Sequence, residues 1–450
     1  NKETGIDITD GNENIIQGNE IRENQYSGIY IQEGKENVVT RNEVRENKRG
    51  GIYIDDSRNI IAGNIVEGNK ITGIGIGMGE ITENTIEDNQ VGKNENSGID
   101  IGGPWNKIER NEVTENKKYG ISIFGGKNEV EGNYLRENKR HGIYMTSSRN
   151  VVKDNEVRKN EFEGIYIDGG NENAVRGNGV RENKKYGMAI KGGRNEVEGN
   201  YLRENKRGGI SIRWGNENMI EGNEVRENQT FGIYLERGKE NAVEKNHVKE
   251  NGYRGIYFFE GNENKIKDNV VRENKSNGIS IRWGNENVIL GNEVTENNER
   301  GIHINEGKEN TVEGNRVSKN EEHGLSVAGS RGVFMKENDV STNKRGVWID
   351  RSARVYFTGD ITGNNGEGIV AEGVTEINVD ASTVMDNDGD GVAIKDSRYA
   401  SITGNCVAGN AGRGVALENL KKSTVEGNYV VGSIEMENVS GKIENNIEVK

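Results

Sequence analysis

Residues 28–47 read GIYIQEGKENVVTRNEVREN. Three apolar pulses run through them: Ile29 with Ile31, then Val39, then Val44. Asn37 stands two positions before the second pulse, Asn42 two before the third, and Asn47 closes the unit. Within the first pulse the apolar residues alternate by two, which is the strand period. Aligned on the glycine before each first pulse, the unit recurs from Gly5 to Gly414, 409 residues in 18 steps, or about 22.7 residues each. That is too short for a helical pair of about 34 residues. Self-similarity at so short a period predicts an all-β parallel solenoid of about 19–20 coils, with three short strands per coil.

Composition alone points the other way. With 31% apolar residues, 30% charged residues and a mean hydropathy of −0.87, a chain without period would be read as disordered. Stacking resolves the conflict, because each coil buries a small apolar set against near-identical neighbours. The net charge of −14, with Lys and Arg dispersed through every repeat, excludes a nucleic-acid partner, which needs a clustered basic surface. No run of about 18 apolar residues predicts a transmembrane segment. The density of Glu, Lys and Arg points to a thermostable protein.

What varies between units shows which side chains point out. After each first-column Asn the next residue changes freely, while the one after it stays Ile or Val and so faces in. Ile29 and Ile31 face in and Tyr30 faces out. The Asn columns sit at turns beside the core, where an unpaired amide is costly. Stacked coil on coil, each amide can donate to one neighbour and accept from the other, forming a ladder. Asn228 and Asn274 match the glycosylation tripeptide but fall in a ladder, which predicts that they are inaccessible, whereas Asn438 is free of it.

The recurring G-I-x-I, N-x-[IV] and N-x-[IV]-x-x-N pieces resemble the right-handed parallel β-helix repeat family, and within it the NosD-like group of carbohydrate-binding and sugar-hydrolase repeats. The resemblance spans essentially the whole chain. It implies one elongated solenoid over residues 1–450, extracellular or at the cell surface, with the periplasm also open, and concerned with polysaccharide. One branch of that family handles copper, for which soft ligands are needed. His141, His247, His303 and His323 are spread over different coils and form no such cluster.

Departures from the period mark where coils differ. Residues 1–323 carry regular Asn columns. Over 324–431 the columns thin, with Asp360 and Ser382 near ladder positions, and 432–450 reads as a closing coil. Between Gly73 and Gly98 the unit has 25 residues, which predicts a protruding loop near residues 90–96. Asn1 lies four residues before Gly5, as Asn24 does before Gly28, so the chain starts inside a coil. This predicts either a cut through a longer protein or self-association through an uncapped N-terminal coil.

Candidate chemistry lies on the outward first strand. Tyr30, Tyr53, Tyr144, Tyr166, Tyr234 and Tyr257 form a stripe, joined by Phe258 and Phe259 and by Trp214 and Trp283, each Trp in a GISIRWGNEN segment. Flat rings stack on sugar faces, and Arg213, Arg282, Glu236 and Glu260 could bond hydroxyls or carboxylates. The other reading is that Tyr is simply favoured on an exposed strand and stacks on itself. Acids on or just after this strand, Asp55, Asp56, Asp100, Asp168, Glu236, Glu260 and Asp350, are too scattered to define a hydrolase pair. Asp386, Asp388 and Asp390 have the spacing of a calcium loop, but Ser397 stands where its bidentate Glu belongs. No cofactor is indicated. The expected function is a rigid structural or glycan-binding rod, with polysaccharide or a cell-surface glycan as partner. The alternatives are a lyase, epimerase or hydrolase near residues 210–305, and a filament of stacked subunits.

Overall fold

The computed structural model describes residues 2–364 and 366–449, and of Asp360 and Thr362 the backbone alone. Asn1 and the side chain of Asp360, invoked above, lie outside the described residues. The chain forms two compact units, Asn1–Glu224 and Val225–Lys450. Each is a parallel β-solenoid with three short strands per coil, and no helix occurs among the described residues.

The unit quoted above becomes strands Ile29–Gln32, Val38–Thr40 and Glu43–Arg45. Ile29, Ile31, Val39 and Val44 are fully buried, as their spacing predicts. Each strand pairs in parallel with its counterpart one coil away. Ile6 faces Ile29, which faces Ile52, while Ile16 faces Val39, which faces Ile61. Like therefore stacks on like. β-Branched side chains fill the interior because their restricted rotamers suit a pleated, tightly spaced surface.

The Asn columns are ladders. The Nδ2 of Asn42 donates to Asn64 Oδ1 at 3.0 Å and to the Ile16 carbonyl of the preceding coil at 2.9 Å, while its Oδ1 accepts from the backbone N–H and Nδ2 of Asn19. Each amide thus ties three coils together. The residue before each ladder Asn is held in the left-handed region, as at Arg41 (φ 54°) and Glu46 (φ 53°). For a residue with a Cβ this costs about 1–2 kcal/mol, and the amide bonds beside it offset the strain. Asn228 and Asn274 are buried in a ladder and Asn438 is exposed.

Glycine precedes the first strand from Gly5 to Gly414 because nothing larger fits. A Cβ on Gly28 would lie 2.3 Å from Val44 Cγ1 and 2.8 Å from the Gly51 carbonyl oxygen. The extra residues of the long unit do not sit at 90–96. There Asn89, Val91 and Asn94 keep the regular register, with both amides in the ladder. The insertion falls in the turn between Ile74–Ile76 and Thr85–Glu87, where no ladder residue constrains the path.

In the second unit apolar residues, Val333, Val355, Ile377 and Ala400, replace the first-ladder Asn, and a serine column forms at the turn position three residues earlier. Ser330 Oγ accepts from Gly307 N at 3.1 Å, Ser352 Oγ from Ser330 N, and Ser397 Oγ from Val374 N. Each of these hydroxyls donates to the carbonyl two residues before it and accepts from the preceding coil. In this stretch second and third strands run together, as in Arg331–Ser341 and Ala353–Thr362.

Candidate functional site

Outward residues of the first strands, with the turn before each glycine, build one face of each unit. In the first unit Tyr30 and Tyr53 stack with ring centroids 5.8 Å apart and an interplanar angle of 21°. The next outward position in register is Gly75, so the row stops. A Cβ there would lie 2.9 Å from Tyr53 Cδ2, and one on Gly77 would collide with the Asp55 carboxylate. The missing side chains open a groove of about 670 Å³ lined by Tyr26, Arg49, Tyr53, Met78, Asp100 and Phe124, with Gly75, Gly77 and Gly102 in its floor.

Polar groups in this groove are aimed. Thr72 Oγ1 donates to Asp100 Oδ2 at 2.6 Å and Ser122 Oγ donates to Asp100 Oδ1, which fixes the carboxylate. Arg49 lies 4.9 Å over the Tyr26 ring. Burial, then the Asp55 carboxylate, push the Tyr53 hydroxyl above its ordinary pKa, so it remains a neutral donor and acceptor. Met78 is 76% exposed. Apolar ring surface beside fixed acceptors and an arginine is the chemistry that holds a pyranose ring.

A second cleft of about 280 Å³ in the same unit opens at Ala189, where the outward row again loses a large side chain. Tyr166, Lys185, Lys191, Arg207 and Arg213 line it. Tyr166 Oη donates to Asp168 Oδ1 at 2.9 Å, and Lys191 Nζ reaches the same oxygen at 3.2 Å. Burial would raise Asp168, but Tyr166 and Lys191 outweigh it and hold its pKa below the usual range. Glu163 behaves alike: burial raises it and His141, 3.1 Å away, more than compensates.

The structure divides the residues expected from sequence. Tyr166 and Arg213 meet at the Ala189 cleft. Trp214 lies past the end of strand Ile210–Arg213, in the turn, with φ 54° and 55% of its surface exposed. In the second unit Tyr234 and Tyr257 face outward but are only 9% and 7% exposed. They stack on each other at 5.5 Å and on Phe231, and Arg254 covers Tyr257 at 4.2 Å. Both rings are covered by these neighbours, the self-stacking arrangement that the sequence also allows. Phe258, expected in the stripe, instead points inward between Leu235 and Ile281 and is fully buried, because it stands at the inward position of its strand. Phe259 meets Trp283 edge-on at 5.2 Å, and Arg282 lies 4.1 Å over the Trp283 ring. Glu260 pairs with Arg237, and Glu236 is half-buried at the end of Ile233–Glu236.

A third groove, of about 520 Å³, lies in the second unit where Val370, Ala393 and Ala416 follow one another, edged by Glu372, Glu418 and Lys395. The aspartates of the calcium-like spacing do not converge. Asp390 is clamped by Arg413, whose Nη2 lies 2.7 Å from Oδ2, and no trio of metal-binding side chains occurs among the described residues.

Sequence reasoning missed Gly75, Gly77, Gly102, Phe124 and Ala189. Gly75 and Ala189 stood as small residues in a column otherwise rich in tyrosine, and Gly77 lay in the broken spacing of GIGIGMGE.

A family model described as "Right handed beta helix region" matches residues 141–294, 261–383 and 300–447. The chain belongs to the right-handed β-helix family. A second model, "Periplasmic copper-binding protein (NosD)", matches residues 1–141. That stretch of the β-helix chain contains one histidine, one methionine and no cysteine, a donor set that does not fit copper. Among solved structures, the fold is similar to the periplasmic alginate epimerase AlgG (13% identity, TM-score 0.39, covering 77% of this chain and 78% of that one). It is also similar to the Dettilon tailspike protein gp208 (15% identity, TM-score 0.41, 64% of this chain and 59% of that one). A point mutant of the PL6 family alginate lyase AlyGC aligns over 99% of this chain and 98% of its own at 10% identity and TM-score 0.37. No curated protein matches.

Proposed function

We propose that this β-helix is a polysaccharide-binding protein of the periplasm or extracellular space that holds sugar rings along its first-strand face. The observation that carries the reading is the Gly75–Gly77–Gly102 groove, where the tyrosine row ends and a fixed carboxylate and exposed apolar side chains surround a ring-sized depression. Holding fits the groove better than hydrolysing. Asp7 and Asp100 are separated by four coils, about 19 Å at the usual strand spacing, far beyond the roughly 5–9.5 Å of a glycosidase pair. Binding by the full chain to a glycan array tests the reading. Gly75→Leu, which fills the floor, is expected to abolish the signal, and Asp100→Asn to weaken it about tenfold by removing a charge-assisted acceptor. Trp214→Ala, in a turn outside the groove, is expected to leave it intact. An array with no hits, or hits unchanged by Gly75→Leu, would overturn the proposal.

A further inference from the structure

The groove of about 520 Å³ in the second unit is built unlike the others. Its floor is a row of small outward apolar side chains, Val370, Ala393 and Ala416, stacked in strand register, and Glu435 ends the row. No aromatic ring occurs among the described lining residues, so a sugar face finds no platform here. The strands that carry the floor are paired on both sides, so they offer no free edge to an extended peptide.

The two rims differ in how their charges are used. On one, Glu367 is held by Arg345 at 2.8 Å, and Arg413 holds Asp390 at 2.7 Å and reaches Glu435 at 3.5 Å. On the other, Glu372, Lys395, Glu418 and Glu437 follow one another in register. Lys395 lies 3.4 Å from Glu418 in a pair that solvent reaches. Glu372 and Glu437 are exposed and make no ion pair among the described residues. The lining thus carries six carboxylates against two cations, around an apolar floor. Three coils separate Glu372 from Glu437, about 14 Å at the usual strand spacing, with Glu418 between them.

We propose that this groove binds a linear aliphatic polyamine with three or more ammonium groups. Its methylenes lie along Val370, Ala393 and Ala416, and its ammonium groups meet Glu372, Glu418 and Glu437. The site is separate from the sugar-holding groove and does not depend on that reading. A compact cation would satisfy the rim but leave the floor in water, and no trio of side chains placed to hold a metal ion occurs among the described residues. An ammonium can take Glu418 from Lys395 at little cost, because an exposed pair is weak.

The test is calorimetric titration of the full chain with spermidine, hexaamminecobalt(III) and putrescine. Spermidine and hexaamminecobalt(III) carry the same charge, and only the first has methylenes. Spermidine is expected to bind at least about tenfold more tightly, a gain that two buried methylenes supply. It should also exceed putrescine, whose two ammonium groups reach only adjacent coils. Glu372→Gln with Glu437→Gln changes two exposed side chains, which the fold should tolerate, and is expected to weaken spermidine at least about tenfold. Ala393→Gln keeps the charge but puts a polar stub in the floor, and it should bring spermidine down to the level of hexaamminecobalt(III). Equal affinity for the two trivalent cations in the parent would overturn the proposal, since charge alone would then account for binding. So would spermidine affinity that survives both variants, which would show diffuse attraction to a chain of net charge −14. Failure of spermidine to bind at all would overturn it outright.

Discussion

Replacing Asn111 by alanine should loosen one coil by an amount that can be worked out bond by bond. Asn111 is buried, and its Oδ1 accepts from the backbone N–H of Asn89 at 3.0 Å and from Asn89 Nδ2 at 2.9 Å. Its Nδ2 donates to the carbonyls of Ile86 and Glu109 at 2.8 and 3.0 Å, and to Asn133 Oδ1 at 2.9 Å. After truncation, Asn89 Nδ2 keeps the Ile61 carbonyl and Asn133 Oδ1 keeps the Asn111 backbone N–H. The Ile86 carbonyl keeps its place in the parallel strand ladder opposite Glu109, so the group left without a partner is the Asn89 N–H. At about 1–3 kcal/mol for an orphaned buried group, the cost is about 1–3 kcal/mol. A global melt is the wrong assay, because repeat arrays open locally. Hydrogen exchange resolved to the Asn89 amide is the right one. Its protection should fall at least about fivefold, while amides several coils away keep theirs. Asn111→Ser should fall between, since Ser382 shows that a hydroxyl can accept from the preceding coil (Gly359 N, 3.1 Å) while donating its own proton to Asp380 O. Unchanged exchange at Asn89 in the alanine variant would refute the account of the ladder as the element that ties the coils.

Other expectations follow from particular sites. Burial, then Arg300, hold His303 at about 3, and burial with Arg300 and Arg345 hold His323 at about 4. The unfolded chain therefore binds more protons below about 6.5, and stability is lost as pH falls from there toward 3, by up to about 5 kcal/mol for His303. Urea unfolding of His303→Gln against the parent at pH 7 and pH 4 should show the variant less acid-sensitive, and parallel pH profiles would contradict this. Gly28→Ala forces a Cβ against Val44 and the Gly51 carbonyl, and overpacking of this kind should cost about 1–3 kcal/mol, seen as new cleavage within residues 28–51 under limited proteolysis. Gly68, at φ 65° with room around it, occupies the slot filled by Glu46 one coil earlier. Gly68→Ala should cost only about 1 kcal/mol, read as faster exchange at the neighbouring Asn69 amide, with no effect on sugar binding.

Most of the fold was legible because stacking imposes the same penalty on each position in every coil. An inward Val44, a ladder Asn42 and a gap-filling Gly28 repeat because their neighbours repeat, so one unit explains all of them. The site was less legible for the same reason. A tyrosine column looks like a binding surface, yet Tyr234 and Tyr257 are buried by the stack they form with Phe231 and Arg254. Openings arise instead where the column is interrupted, at Gly75 and Ala189. Small residues give little signal when the eye seeks reactive ones. The misplaced loop has a related cause: the 25-residue spacing shows that residues are extra but not where they enter. Only the intact Asn89 and Asn94 ladder positions locate them in the preceding turn.

The ladder has an evolutionary corollary. Because the amide at Asn42 engages only the coils directly above and below it, a coil is defined by its seams and not by its place in the series. Deleting or duplicating a whole segment from one seam to the next leaves every junction chemically the same. Length can then drift by unequal recombination at little thermodynamic cost, and individual coils are free to trade an outward tyrosine for a glycine without disturbing their neighbours' interiors. A chain built this way can open a new recess by a single substitution, which makes its ligand preferences quicker to alter than its architecture.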